Sequence, residues 1–216
     1  MSDAAPASSA PAPSALTRRV LDPAVARDVK VLFVDCDGVL TDGRMIYVDR
    51  PRVGDKPSPL DAATVYEAKN FHVRDGMAAV LLRMAGVQVV LITGEASPMA
   101  ARRAAKLQFE GSLLGIDDRV AAAGDWLRDH GFTFADAAHV GDEVNDLGLM
   151  RRVPLSFAPA DCSPLVAREV TYRSPVEGGG GVLRDVIYEL LDARGQLDDI
   201  LERYIAGERP ASGTGT

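Results

Sequence analysis

Val31-Leu32-Phe33-Val34 is an unbroken apolar run, and it ends in two acids one residue apart followed by glycine, Asp35-Cys36-Asp37-Gly38. A strand with one wet face would alternate polar and apolar residues; this one does not, so both of its faces must be buried, as in the centre of a parallel sheet covered by helices. Two later segments repeat the pattern. Val87–Ile92 runs into Thr93-Gly94, and Ala137–Val140 runs into Gly141-Asp142. Helix-period segments separate them: Gly76–Ala85, Ser97–Leu107 with Pro98 in its first turn, Arg119–His130 stopped by Gly131, and Val182–Ala193. With Val29–Val34 as the first strand and Ser112–Leu114, Val153–Phe157 and Val170–Tyr172 as shorter ones, the order strand-then-helix predicts an α/β fold with a mainly parallel sheet and helices on both faces.

Residues 43–70 break this rhythm. Arg44–Val48 and Thr64–Tyr66 read as strands around a loop containing Pro51, Gly54, Pro57 and Pro59, which is the pattern of a β-hairpin insertion with a long tip. The Ala/Pro/Ser-rich start, residues 1–27, is expected to be a disordered leader, and 207–216 a flexible tail, leaving 28–206 as one α/β domain. A net charge of −7 opposes a nucleic-acid surface, which needs clustered Lys and Arg. No apolar run is long enough to span a membrane. The leader lacks the continuous apolar segment of a signal peptide, and Cys36 and Cys162 suit reduced thiols, so a cytoplasmic location is expected.

In a parallel sheet the three strand ends lie on one edge, so Asp35 and Asp37, Thr93 and Gly94, and Asp142 with Asp146 converge. Singly, each has a plain structural use, as a turn or a helix cap. Jointly they fit phosphoryl transfer through an enzyme aspartate, where positioning and charge neutralisation carry the catalysis. Mg²⁺ suits such a set: Asp35 and Asp142 offer carboxylates, the Asp37 backbone carbonyl a third ligand, and Asp146 stands behind them. Asp35 is then the nucleophile, and the Asp37 side chain the acid and base that serves the leaving oxygen and the attacking water. The Thr93 hydroxyl and the Gly94 amide, read as the start of a helix, are placed for phosphate oxygens, with Arg119 as the cation. Gly178–Gly181 are expected to form a flap over the pocket.

The set Asp35-Cys36-Asp37-Gly38-Val39, Thr93-Gly94, Arg119 and Gly141-Asp142-Glu143-Val144-Asn145-Asp146 resembles the haloacid dehalogenase superfamily of phosphatases. More narrowly, Asn70-Phe71-His72-Val73-Arg74-Asp75-Gly76 and Gly178-Gly179-Gly180-Gly181-Val182-Leu183-Arg184-Asp185-Val186 are similar to the 3-deoxy-D-manno-octulosonate 8-phosphate phosphatases. These motifs are shared by relatives that act on nonulosonate 9-phosphates, and by an inactive phosphatase-like tetramerisation module fused to some sialic-acid cytidylyltransferases. The resemblance implies a Rossmann-like, cap-less domain, Mg²⁺, a sugar-acid phosphate substrate whose carboxylate Lys69 and Arg74 are expected to meet, and a homotetramer whose active sites are completed by neighbouring subunits. About 25 residues separate Gly94 from Arg119, too few for a cap domain, so closure by a partner chain also answers a physical need to exclude water. The chain departs from the family in having Arg119 where Lys is usual, Gly180 where Arg is frequent, and a longer, Pro-rich hairpin tip over 49–63.

Overall fold

The computed structural model describes residues 21–49 and 65–210. Its elements run α1 (Pro23–Asp28), β1 (Val31–Val34), β2 (Ile46–Asp49), β3 (Val65–Ala68), α2 (Asp75–Met84), β4 (Gln88–Thr93), α3 (Pro98–Leu107), β5 (Gly111–Leu114), α4 (Arg119–Asp129), β6 (Ala137–Val140), α5 (Leu147–Met150), β7 (Leu155–Ala158), β8 (Tyr172–Arg173), α6 (Val182–Ala193) and α7 (Leu197–Ile205). Six strands form one sheet in the order β5-β4-β1-β6-β7-β8, every pair parallel.

The predominantly apolar central strands make the sheet two-sided. Alternate residues of each central strand enter different cores: Leu32, Val34, Val89, Leu91, Ala138 and Val140 pack with α1, α2, α3, α6 and α7, whereas Val31, Phe33, Val90, Ile92 and Ala137 pack with Ala123, Trp126 and Leu127 of α4 and Leu149 of α5. Both faces are dry, so a polar group can leave the sheet only at a strand end. The chain turns from the β4 side of β1 to the β6 side, which puts the topological switch point beside β1.

Local chemistry sets the helix starts. Ser97 Oγ accepts from the Met99 amide with Pro98 behind it, and Asp118 accepts from the Ala121 amide. α6 begins at Gly181, whose φ of 99° suits glycine and supplies no cap; a residue over a hundred positions earlier does so, because Asp75 Oδ1 accepts from the Arg184 amide at 3.1 Å.

The start of the chain differs from expectation. The composition predicts a leader through residue 27, yet Leu21 and Ala26 are buried and α1 packs on α6. Asp22 caps α1, Pro23 opens it, and the half of the Arg194 guanidinium at Nη1 closes it on the carbonyls of Ala26 and Val29 at 3.0 and 2.8 Å. Six residues are too few to show a helical period, and their Ala and Pro content continues that of the preceding segment. α7 was also missed, although Leu197, Ile200, Leu201 and Tyr204 carry helical spacing. The expected leader up to residue 20, the hairpin tip at 50–64 and the end of the tail at 211–216 lie outside the described residues. β2 and β3 pair antiparallel, Ile46 with Ala68 and Asp49 with Val65, apart from the main sheet.

Candidate active site

A cavity of about 440 Å³ opens at the carboxyl edge of the sheet, bounded by Asp35, Asp37, Gly38, Thr93, Gly94, Arg119 and Asp142, with Glu95, Glu143 and Asn145 at its exposed margin. Asp35 is the first residue beyond β1, and its amide donates to the Val140 carbonyl at 3.0 Å, continuing the ladder to β6. The next turn needs glycine: Gly38 has φ 85°, and a Cβ there would meet Asp142 Oδ2 at 2.0 Å. Gly141 is required in the same way, since its Cβ would collide with the Asp146 carboxyl. Two glycines thus let three carboxylates approach the end of one strand.

Arg119 and Asp146 hold the floor. Asp146, fully buried, accepts from Arg119 Nη1 and from His139 Nε2 at 2.7 Å on Oδ1, and from the amides of Asp142 and Glu143 at 3.1 and 3.3 Å on Oδ2. Burial pushes Asp146 upward, but the His139 hydrogen bond, the Arg119 charge and the Glu143 amide together hold it below the ordinary carboxylate value. Arg119 Nη1 also lies 3.1 Å from Asp35 Oδ1.

Asp35 and Asp142 behave in the opposite sense. Burial, then the Asp146 charge, lifts Asp35 from 3.8 to about 7 against the pull of Arg119. Asp142 is lifted to about 7 by burial and by Asp146 and Glu143. Two acids lifted to near neutrality by burial first and by neighbouring carboxylates second describe a desolvated site with surplus negative charge. Oxygens of Asp35, Asp142 and Asp146 lie within 4.8 Å of one another, and buried Asp35 Oδ1 has the Arg119 charge beside it but no hydrogen bond among the described residues. Because Asp146 is taken up by four donors, Asp35 and Asp142 are the carboxylates free for a hard cation.

Asp37 is clamped. Lys69, its side chain only 1% exposed, reaches from the end of β3 to place Nζ at 2.7 and 2.8 Å from the two Asp37 oxygens, and Thr41 Oγ1 donates to Oδ1 at 3.2 Å. Sequence reasoning assigned Lys69 to a substrate carboxylate; the fold gives it a carboxylate of its own. Arg74, assigned the same duty, is exposed just before α2 and is not among the cavity residues. Thr93 is in place at the end of β4, where its Oγ1 accepts from the Glu95 amide at 3.3 Å. Gly94 borders the cavity but is not a helix start, because α3 begins four residues later at Pro98. The expected flap is instead a packed strut: Gly179 donates to the Val39 carbonyl at 3.1 Å, Gly178 donates to Asp161 Oδ1 at 2.8 Å, and a Cβ on Gly178 would meet the Gly38 carbonyl at 2.2 Å. His139, Glu95, Glu143 and Asn145 went unassigned; for His139 the signal was a lone polar residue within a buried strand.

No protein-family model matches the chain. It is 32% identical to the 3-deoxy-D-manno-octulosonate 8-phosphate phosphatase KdsC of Escherichia coli strain K12 over 176 residues, 82% of this chain and 86% of that protein. Identity to the Haemophilus influenzae protein of the same name is also 32%, over 78% of this chain and 86% of that one. A crystal structure of the Moraxella catarrhalis phosphatase, in complex with magnesium, phosphate and the KDO sugar, superimposes with a TM-score of 0.74 at 26% identity, covering 84% of this chain and 97% of that one. With the fold, the carboxylate edge and this identity in agreement, the chain belongs to the 3-deoxy-D-manno-octulosonate 8-phosphate phosphatase family of the haloacid dehalogenase superfamily.

Proposed function

We propose that the protein hydrolyses 3-deoxy-D-manno-octulosonate 8-phosphate to the free sugar acid and inorganic phosphate. The observation that carries this reading is the convergence of Asp35 and Asp37, Thr93, Arg119 and Asp142, from four separate segments, on one cavity at the sheet edge. Asp35, Asp142 and the Asp37 carbonyl would hold Mg²⁺, which when bound neutralises the carboxylates and the phosphoryl oxygens. Asp35 attacks phosphorus, forming an O–P bond as the ester P–O bond breaks, and an aspartyl-phosphate results. The Asp37 carboxyl, its rotamer set by Thr41 and Lys69, gives its proton to the leaving sugar oxygen. It then takes a proton from the water that cleaves the aspartyl-phosphate and frees phosphate. Arg119, the Thr93 hydroxyl and the Gly94 amide meet the phosphoryl oxygens.

The cavity has no lid of its own among the described residues. We read the β2–β3 pair as the contact through which a homotetramer closes it, supported by the exposure of Met45 and Ile46 at 42% and 48%. Arg74, exposed and outside its own cavity, then serves the sugar carboxylate in a neighbouring subunit. No helix among the described residues is long and apolar enough to cross a membrane, and the reading places the enzyme in the cytoplasm, where such sugar phosphates would be met.

A phosphate-release assay with Mg²⁺ over a panel of sugar phosphates tests the substrate. The highest kcat/KM is expected on the octulosonate 8-phosphate; a higher value on a nonulosonate 9-phosphate would move the substrate to that class. Release from none of them would favour an inactive assembly module.

A further inference from the structure

His139 lies in the middle of the sheet, completely buried on β6 between β1 and β7, where its neighbours Ala137, Ala138 and Val140 are apolar. An imidazole there loses its water and must be given partners. It has two. Nδ1 is 3.3 Å from the Phe33 carbonyl oxygen of β1, and Nε2 is 2.7 Å from Asp146 Oδ1.

The second partner gives the residue a functional consequence. Asp146 Oδ1 also accepts from Arg119 Nη1, the same nitrogen that stands 3.1 Å from Asp35 Oδ1. The chain of contacts is therefore Phe33 carbonyl, His139, Asp146, Arg119, Asp35. β1 and β6 are hydrogen-bonded neighbours with Phe33 opposite His139, so the sheet itself anchors one end of the chain. A carboxylate on a short side chain could rotate to follow a mobile guanidinium; a second donor on the same oxygen, fixed to the sheet, prevents this. The two amides on Oδ2 fix the other oxygen.

We propose that His139 is a positioning residue for phosphoryl transfer: by locking Asp146 Oδ1 it holds Arg119 beside Asp35, where the phosphoryl group is received. The inference rests on the phosphatase reading for the identity of Arg119's ligand, but the placement of Arg119 can be measured without turnover.

His139→Gln and His139→Asn separate this role from core packing. The Gln amide reaches about as far as Nε2 and keeps a donor for Asp146; the Asn amide matches Nδ1, keeps the Phe33 contact and cannot reach Asp146. With Mg²⁺ present, His139→Asn is expected to weaken inorganic phosphate binding, followed by calorimetry, and to lower kcat about tenfold, the equivalent of ~1.4 kcal/mol. His139→Gln is expected to restore both to within about threefold, and crystals should show Arg119 displaced from Asp35 only in the Asn variant. Equal losses in the two variants, whether of phosphate affinity, turnover or folded protein, or no loss in either, would overturn the proposal. A wild-type protein that binds phosphate but hydrolyses no sugar phosphate would contradict the proposed function, and the contrast between Asn and Gln in phosphate affinity and Arg119 position would still decide the role of His139.

Discussion

The residue that concentrates the chemistry is Asp35, and its two properties pull in opposite directions. As the proposed nucleophile it must be ionised to attack phosphorus, yet burial and the Asp146 charge lift it to about 7. Asp142 is lifted equally. In the metal-free protein both acids hold protons that the unfolded chain, at about 3.8, has already released, so between roughly pH 4 and pH 7 the folded state binds more protons and stability falls as pH rises. Mg²⁺ reverses the cost by stabilising the ionised pair. Thermal melts at about pH 5 to 8, with Mg²⁺ or with chelator, are expected to diverge as pH rises, the chelated protein losing Tm. Asp35→Asn removes one of the buried charges and is expected to raise the chelated Tm at about pH 8 while removing most of the Mg²⁺ effect. Parallel melts of the two proteins in both conditions would contradict the assignment of Asp35 as a ligand.

Residue identities at the strand ends were legible because sequence order and sheet topology together fix where they go. Asp35, Thr93 and Asp142 follow apolar runs whose length and lack of alternation already place them on one edge. The contacts between side chains were not legible. Nothing in the spacing of Lys69 and Asp37, 32 positions apart, distinguishes an ammonium on a substrate from one on the acid itself. The same holds for His139, whose burial was readable but whose partner depends on how the Gly141 turn brings Asp146 back beneath the strand.

Among the elements, the segment from Gly178 to Gly181 shows how composition misleads. Four glycines suggest freedom, but here they permit contact: the backbone of Gly178 lies against the Gly38 carbonyl, and Gly179, at φ 70°, against Asp42. The strut thereby fixes the turn that carries Asp37. Gly178→Ala would place a methyl carbon 2.2 Å from the Gly38 oxygen, so one of the two backbones must move. A stability loss of about 1 to 3 kcal/mol is expected, with kcat falling at least tenfold in protein that remains folded. Activity lost only in proportion to unfolded protein would remove the strut from the catalytic apparatus. α1 and α7 mark the other limit of sequence reading. The first is too short for a period; the second carries apolar residues at helical spacing, Leu197, Ile200, Leu201 and Tyr204, but buries only Ile200 fully.

At the scale of the whole molecule, the sheet edge supplies the proposed nucleophile, proton carrier and phosphate cradle, and among the described residues it leaves the cavity open at Glu95, Glu143 and Asn145. Electrostatic catalysis weakens in a wet site, so the proposed tetramer belongs to the mechanism as well as to the architecture. If the proposed tetramer forms through this pair, Ile46→Asp is expected to give smaller species than the wild type in light scattering and to lower kcat/KM on the sugar phosphate by more than tenfold. Unchanged mass and activity would detach the β2–β3 pair from assembly. The most direct test follows phosphate release from 3-deoxy-D-manno-octulosonate 8-phosphate by the wild type and by Asp35→Asn, side by side with Mg²⁺ and with chelator. Wild-type turnover that needs Mg²⁺, together with at least a ~10⁴-fold lower rate in folded Asp35→Asn, is the expected result. Equal rates in the two proteins, or no release by the wild type, would contradict it.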